Sequence, residues 1–277
     1  MSLPSLQRTL FRMQHDPRFA EGLRRREPAV VATTDLSPRE LDWLCEADPA
    51  RVRADRGGAR RAQLLRNVGG ELALTLSQLP AEALDTFPSS PEFHAAVRQD
   101  RSLPLALADH LARVAGQMAA PLEARALLAL ERALAVARRS LRPIRSTRGD
   151  EIVLAPWAHL CEVPEGTLDL AAELRSGACP PAGPAPGSGP TPHPERVETE
   201  SLETLLIRAE PPSPFRLREV SVERLSGPLA ELLSRARAPL SRSDRAHYAR
   251  SIEAEPAELE AIVAEMLADR TLVGGSA

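Results

Sequence analysis

Lysine is absent from this sequence, so all 35 basic residues are arginine, and aromatic residues make up only 3% of the chain. The three cysteines, Cys45, Cys161 and Cys179, stand far apart, which excludes a dense disulfide framework and a CxxC metal site. No stretch reaches the roughly 20 apolar residues of a membrane span, and the first residues lack the apolar run of a signal peptide. We therefore expect a cytoplasmic protein with no membrane partner.

Proline is abundant, with 26 residues, and many prolines stand where a helix would begin. In LSPRELDWL, Ser37 can cap a helix, Pro38 can be its first residue, and Glu40 completes a capping box. Apolar residues then recur at helical spacing as far as about residue 145. The sequence therefore predicts a mainly α protein whose residues 1–145 form a multi-helix domain.

The remainder of the chain divides into three segments that differ in composition. Residues 146–175 contain short apolar runs broken by proline and glycine, and we interpret them as a strand-like appendix to the first domain. Residues 176–200 hold seven prolines and almost no large apolar residue, which predicts a disordered linker. Residues 201–277 contain candidate strands followed by helices, which predicts a small α+β domain of winged-helix-like form.

The last predicted helix carries a buried apolar stripe, but the rest of its surface is acidic. Glu258, Glu260 and Glu265 lie outside the stripe, and no basic residue occurs between Ile252 and Arg270. Carboxylates are repelled by DNA phosphates, so this helix is a poor candidate for reading a DNA groove. A net charge of −3 likewise gives no general attraction to nucleic acid, and we expect no nucleic-acid partner.

Motifs that would indicate catalysis are missing. The chain has neither the GxSxG motif of a hydrolase nor the GxxxxGK motif of a phosphate-binding loop. His159 and Cys161 form an isolated H-x-C pair, whereas a structural zinc site needs four converging ligands. We therefore expect a protein that is not an enzyme, with no catalytic residue, no metal site and no cofactor.

Two parts of the sequence resemble known families. Residues 227–273, GPLAELLSRARAPLSRSDRAHYARSIEAEPAELEAIVAEMLADRTLV, resemble the helical part of PqqD-like peptide-recognition domains, which serve ribosomally made, post-translationally modified peptides. The stretches RRAQLLRNVGGELALTLSQLP, FPSSPEFH, DRSLPLALADHL and VLAPWAHLCEVPEGTLDL resemble the helical partner proteins of multinuclear non-haem iron-dependent oxidases.

The resemblance implies an accessory subunit, which would form a heterodimer with the iron oxidase. Such a subunit would bind the leader of a precursor peptide and present the peptide to the oxidase, and the iron ligands would belong to the oxidase. A winged-helix transcription regulator and a plain helical scaffold are the alternatives. If the helical domain and the segment around Trp157 supply most of the oxidase interface, deleting residues 195–277 should leave the oxidase complex largely intact.

The resemblance also implies where the peptide would bind. In the recognition fold a leader strand pairs with a sheet edge and lies against the final helix. That arrangement indicates a peptide-binding site formed by Val220, Val222, Arg224, Glu258, Ala261 and Glu265. The two carboxylates should favour arginine or lysine in the leader, although exposed ion pairs contribute only roughly 0.2–1 kcal/mol each.

Overall fold

The computed structural model describes residues 3–46, 56–139, 149–177, 201–210 and 219–274. The described residues divide into two compact units. The N-terminal unit contains the described residues up to Leu128, and the C-terminal unit contains those from Ala129 to Ser176 and from residue 201 onward. The chain is mainly helical with a small sheet region in its C-terminal part, which confirms the coarse form of the predicted fold class.

The N-terminal unit is built from helices, most of them short. The helices of this part of the chain are α1 (Leu3–His15), α2 (Pro17–Arg24), α3 (Pro28–Val31), α4 (Pro38–Glu46), α5 (Arg56–Gly69), α6 (Ala73–Ser77), α7 (Ala81–Asp85), α8 (Pro91–Gln99), α9 (Leu103–Gln117) and α10 (Leu122–Arg139). The residues of α10 from Ala129 onward belong to the C-terminal unit. Two 3₁₀ turns, Gly70–Leu72 and Phe87–Ser89, connect some of them.

Proline begins several of these helices, as the sequence predicts. Pro38 is the first residue of α4, and the backbone N–H of Ser37 donates to Glu40 Oε2 over 2.8 Å. The Glu40 N–H points back to Ser37 Oγ at 3.4 Å, which completes the predicted capping box. The prolines therefore fix helix starts, because the N–H of the first helical residue has no partner within the helix and proline loses no hydrogen bond there.

The core of the N-terminal unit concentrates the few aromatic side chains. Phe87 and Phe93 are fully buried, and their ring centroids lie 5.3 Å apart in an edge-to-face arrangement. Phe11 stacks on Phe93 at 6.1 Å. Leucines of α5 and α9 surround these rings, among them Leu107 and Leu111. Four of the five phenylalanines, residues 11, 19, 87 and 93, lie in this unit.

The C-terminal unit combines a small sheet region with helices. Its further elements are β1 (Ile152–Leu154), β2 (Ala158–Pro164), α11 (Thr167–Ser176), β3 (Leu202–Ala209), β4 (Val220–Leu225), α12 (Gly227–Arg235), α13 (Arg242–Ser251), α14 (Pro256–Ala268) and β5 (Leu272–Gly274). The strands β2, β3 and β4 form an antiparallel sheet in that order, and β1 pairs with β5.

The strand-like segment belongs to the C-terminal unit, and this corrects the prediction that residues 146–175 are an appendix of the first domain. Ala158 pairs with Arg208 and Pro164 with Leu202, so β2 is an integral strand of the sheet. The proline-rich stretch between the two strands conceals this pairing in the sequence. The predicted linker, residues 176–200, lies outside the described residues from residue 178 onward.

Within the described residues, no helix combines the length and the apolar character that crossing a membrane requires.

Candidate functional site

A groove of about 410 Å³ lies between β4 and α14 in the C-terminal unit. The sheet side contributes Leu206, Glu223 and Leu225, and the final helix contributes residues on one of its faces. The remaining wall comes from the start of α12 and from the turn between α13 and α14. The helical and loop residues that line the groove include Pro228, Leu229, Tyr248, Ile252, Ala254, Glu258, Leu259, Ile262, Glu265, Met266 and Asp269.

Strand β4 is an edge strand within the part of the sheet that the structure describes. It pairs with β3 from Ala209–Val220 to Thr204–Leu225, and no other described strand pairs with it. The outward backbone N–H and C=O groups of such a strand offer pairing sites to another extended chain. The groove therefore lies beside a backbone edge that can take one more strand.

Two contacts hold the walls of the groove together. Arg208 of β3 donates to Glu223 of β4 over 3.2 Å and to Asp269, which caps α14, over 2.5 Å, so the end of α14 is tied to the sheet. Tyr248 Oη of α13 donates to the carbonyl of Pro228 in α12, which joins the two helices that form the remaining wall.

The groove is apolar at its centre. Ile262 is 41% exposed although it is a large apolar residue, and Leu225, Leu229 and Ile252 are partly buried around it. Leu259 and Met266 form the buried side of the same helix. An apolar side chain placed against Ile262 would remove further apolar surface from water, which stabilises a complex by about 25 cal/mol per Å².

The rim of the groove is acidic. Its charged lining residues are Glu223, Glu258, Glu265 and Asp269, and no arginine is among the lining residues in the described part of the chain. Arg208 pairs with Glu223 and Asp269. Glu258 and Glu265 have no ion pair among the described residues, and both are exposed. These two carboxylates are therefore the ones that remain to meet a positively charged ligand.

Among the predicted site residues, the two glutamates lie in the groove and the three strand residues face away from it. Val222 pairs with Ile207, and Arg224 pairs with Leu205, whose buried side chains are on the opposite sheet face from Leu206. Arg224 donates to Glu203 and to Asp169 over 2.6 and 2.5 Å. The side chain of Arg224 is therefore engaged on the far face.

The remaining two predicted residues do not line the groove. Val220 shares the face of Val222 and borders a smaller neighbouring concavity beside Trp157. Ala261 is exposed on α14 without being among the residues that line the groove. The three strand residues therefore lie on the sheet face opposite the groove, because neighbouring residues of a strand point to opposite faces, and their part in peptide binding stays a prediction.

The sequence reasoning missed Glu223, Leu225 and Ile262, which line the groove. Pairing with β3 determines the face of β4, and Leu206 opposite Glu223 is the residue that sets it. In the sequence, Ile262 falls within the apolar stripe, so its exposure could not be read from helical spacing. The spacing of Glu258 and Glu265 was the one signal that located the helix side of the groove.

A buried polar cluster in the N-terminal unit invites comparison with a catalytic triad. Asp16 accepts hydrogen bonds from Ser89 at 3.1 Å and from His94 at 2.7 Å, and it also accepts from the Phe19 N–H as the N-cap of α2. Burial raises the pKa of Asp16, but these hydrogen bonds outweigh burial and bring the pKa below its ordinary value.

The arrangement in this cluster differs from that of an activated serine. A nucleophilic serine must donate to a base that takes its proton, whereas Ser89 and His94 both turn to the same carboxylate. No hydrogen bond joins Ser89 to His94 among the described residues. The contacts instead stabilise a helix start, since a capped N-terminus satisfies otherwise unpaired N–H groups.

His110 is a second buried polar group of this unit, and its neighbours fix its protonation. Its Nε2 lies 2.9 Å from the carbonyl of Ala83, so Nε2 carries a hydrogen. Its Nδ1 accepts from Arg113 at 2.9 Å, so the ring is neutral. Burial lowers the pKa of His110, and the positive charge of Arg113 also lowers it; the hydrogen bond to Ala83 and the carboxylate of Glu92, 3.6 Å from Nδ1, act in the opposite direction but leave the pKa below its ordinary value.

The neutral state of His110 predicts a loss of stability on mild acidification. The unfolded chain binds a proton on His110 below about pH 6.5, whereas the folded unit resists that proton, so the free energy of unfolding should fall as the pH drops below about 6.5. Hydrogen exchange of the N-terminal unit, measured between neutral pH and pH 5, tests this. In His110→Gln the free energy of unfolding should depend less on pH within this window. An unchanged slope would contradict the assignment of a neutral His110 as the cause.

His159 and Cys161 both lie on β2. Among the residues that the structure describes, no group of three or more His, Cys, Asp or Glu side chains could hold a metal ion. Burial raises the pKa of Cys161 to about 11, with a further contribution from Glu162, so the thiol stays protonated at neutral pH. Cys161 is therefore unsuited to act as a nucleophile.

No family model, curated protein or solved structure matches this chain. The groove between β4 and α14 is therefore interpreted from its own geometry and chemistry.

Proposed function

We propose that the chain is a non-catalytic accessory protein that binds the leader of a ribosomally made precursor peptide and presents the peptide to an iron-dependent oxidase. The observation that carries the proposal is the open edge of β4 beside an apolar groove. An extended leader would add as a fourth strand on β4 and lay alternate side chains against α14. The three-stranded sheet of β2, β3 and β4, with α11 between β2 and β3 in the chain, precedes the helices α12 to α14, and this arrangement supports a peptide-recognition domain.

Backbone pairing and apolar contact would supply most of the affinity. The six residues of β4 give an added strand several N–H and C=O partners, and each hydrogen bond contributes about 0.5–1.5 kcal/mol net. Ile262, Leu225 and Leu229 offer apolar surface to every second side chain of the peptide. The exposed carboxylates would then set the preference for sequence rather than the bulk of the affinity.

DNA recognition by α14 is less compatible with these features. The exposed residues Glu258 and Glu265 would face the phosphates, and Glu260 is held by Arg245. Arg245 itself is buried, so it is not available to a nucleic acid. A winged-helix regulator would have to read DNA with a helix whose free charges are negative.

The oxidase part of the proposal rests on the resemblance of the helical segments, and copurification tests it. A tagged form of this chain should capture a candidate multinuclear iron oxidase, and addition of the precursor peptide should give a ternary complex on gel filtration. The precursor should bind the chain without the oxidase as well. A precursor that binds only the oxidase would remove the recognition role from this chain.

A single change in the groove tests the site of peptide binding. Ile262→Lys replaces the exposed apolar centre with a positive charge, so it removes apolar contact and repels a basic leader; we expect the Kd for the leader to rise at least about tenfold. Leu267→Lys is the matched control, because Leu267 is 37% exposed on the same helix but does not line the groove. Fluorescence anisotropy with labelled leader measures both, and equal losses in the two variants would place binding elsewhere.

Strand addition should also change the hydrogen exchange of backbone amides in β4. Amides of β4 that face away from β3 should become protected from hydrogen exchange when the leader binds, because they acquire partners. Protection confined to α14 would indicate a helix-in-groove mode instead.

A further inference from the structure

We propose that the groove selects leader segments with the pattern basic, any, apolar, any, basic, in which arginine or lysine stands on each side of an apolar residue at alternate positions. This inference rests on the proposed strand addition and specifies the sequence that the added strand must have. It comes from the spacing of Glu258, Ile262 and Glu265, three groove-lining residues on one face of α14.

The helix sets the first spacing. Glu258 and Glu265 are separated by two turns, which is about 10.5 Å along the axis at about 1.5 Å per residue. Ile262 lies between them on the same face, about one turn after Glu258. Along the groove the order is therefore carboxylate, apolar side chain, carboxylate, with neighbouring members about 4.5–6 Å apart.

The added strand sets the second spacing. Alternate residues of a strand point to the same face and lie about 6.7 Å apart, so three successive same-face positions span about 13.4 Å. The central position can meet Ile262, and the outer two then extend about 0.7 Å beyond Glu258 and about 2.2 Å beyond Glu265 along the helix axis. Long, flexible arginine and lysine side chains cover such a difference. Basic residues at the next wider same-face spacing of the strand would lie too far apart to reach both glutamates.

The match requires that an added strand run along the helix, and the lining of the groove supports this. The lining residues of α14 and of its cap extend from Glu258 to Asp269, about three turns, and Glu223 and Leu225 of β4 belong to the same groove. Arg208 joins Asp269 at the end of α14 to Glu223 of β4. A strand added to β4 follows the same line in either direction, and the pattern reads the same both ways.

The charge distribution supports a basic ligand at both outer positions. Glu223 and Asp269 already share an ion pair with Arg208, whereas Glu258 and Glu265 have no ion pair among the described residues. Two adjacent arginines in a strand point to opposite faces, so only one of them would reach the groove. The spacing of the basic residues should therefore matter, and not their number alone.

Peptides of equal composition separate these two possibilities. One labelled threonine-rich peptide carries arginine, leucine and arginine at alternate positions, and a permuted peptide places the two arginines side by side. The full chain should bind the alternating peptide about three- to tenfold more tightly at low salt. The preference should shrink at high salt, because exposed ion pairs are screened.

Two variants complete the test. Glu258→Gln with Glu265→Gln should abolish the preference, while Glu255→Gln with Glu162→Gln, the same change of net charge at exposed positions outside the groove, should keep it. If both peptides bind equally and Ile262→Lys weakens both, strand addition stands and the spacing rule is wrong. If neither peptide binds the unmodified chain, both the rule and the groove proposal are overturned.

Discussion

Replacing Arg245 with methionine should lower the free energy of unfolding of the C-terminal unit by about 2–4 kcal/mol. Arg245 is only 5% exposed, and its guanidinium holds both carboxylate oxygens of Glu260 at 2.8 and 3.1 Å. The third nitrogen, Nη1, donates to the carbonyls of Asp150 and Leu240. One side chain thus joins α13, α14 and the segment before β1, and methionine would leave the partly buried carboxylate without its partner.

Fluorescence of Trp157 can follow this unit alone. In a Trp43→Phe background, urea unfolding reported by Trp157 should shift to lower denaturant in Arg245→Met. Arg242→Met is the control: Arg242 is exposed on the same helix, and its replacement should change stability by no more than about 0.5 kcal/mol. Equal shifts in both variants would show that the buried ion pair is not the cause.

Phe93→Ala should destabilise the N-terminal unit by about 3–5 kcal/mol. The ring of Phe93 is fully buried and contacts both Phe87 and Phe11, so its removal leaves a cavity and deletes two aromatic contacts at once. Hydrogen exchange of α8 and α9 should rise accordingly.

The matched change is Trp43→Ala, which also removes an aromatic side chain from this unit. Trp43 is 58% exposed, so its loss should alter the free energy of unfolding by about 0.5 kcal/mol or less. Exchange measured by mass spectrometry distinguishes the two units, which a single melting temperature does not. A small effect of Phe93→Ala would show that the ring cluster contributes little to this unit.

Local signals in the sequence located the helices well. The capping box at Ser37 and Glu40 and the helix starts at Pro38 and Pro91 follow from chemistry within a few residues. The partner of β2 could not be found in this way, since it lies beyond the proline-rich stretch and pairing is a long-range property. Arg245 illustrates the same limit, because its position on a basic helix indicates exposure whereas its carboxylate partner buries it.

For the candidate site, charge was more informative than strand alternation. The free carboxylates of Glu258 and Glu265 follow from helical spacing alone. Which side chains of β4 face the groove depends on the register of β4 with β3, where Glu223 is opposite Leu206. When the partner strand is not known, the sequence leaves both alternating sets of β4 side chains possible.

The pairing of β2 also changes the deletion experiment that the sequence suggested. Removing residues 195–277 would take away β3 and β5, the partners of β2 and β1, and expose the buried residues Ile152 and Val163. Loss of oxidase binding in such a truncated chain could then result from misfolding. Ile262→Lys in the intact chain distinguishes leader binding from oxidase binding more cleanly, because it should weaken leader binding and leave the oxidase complex unchanged.

The pairing of β1 with β5 has a consequence for the order of folding. On the ribosome, Ile152 emerges long before Gly274, its partner, so the two-stranded sheet cannot close until the last described strand is synthesised. Contacts of high sequence separation form slowly, whereas the helices of the N-terminal unit rely on nearer neighbours. We expect the N-terminal unit to fold first during synthesis, with the groove assembled only in the final step.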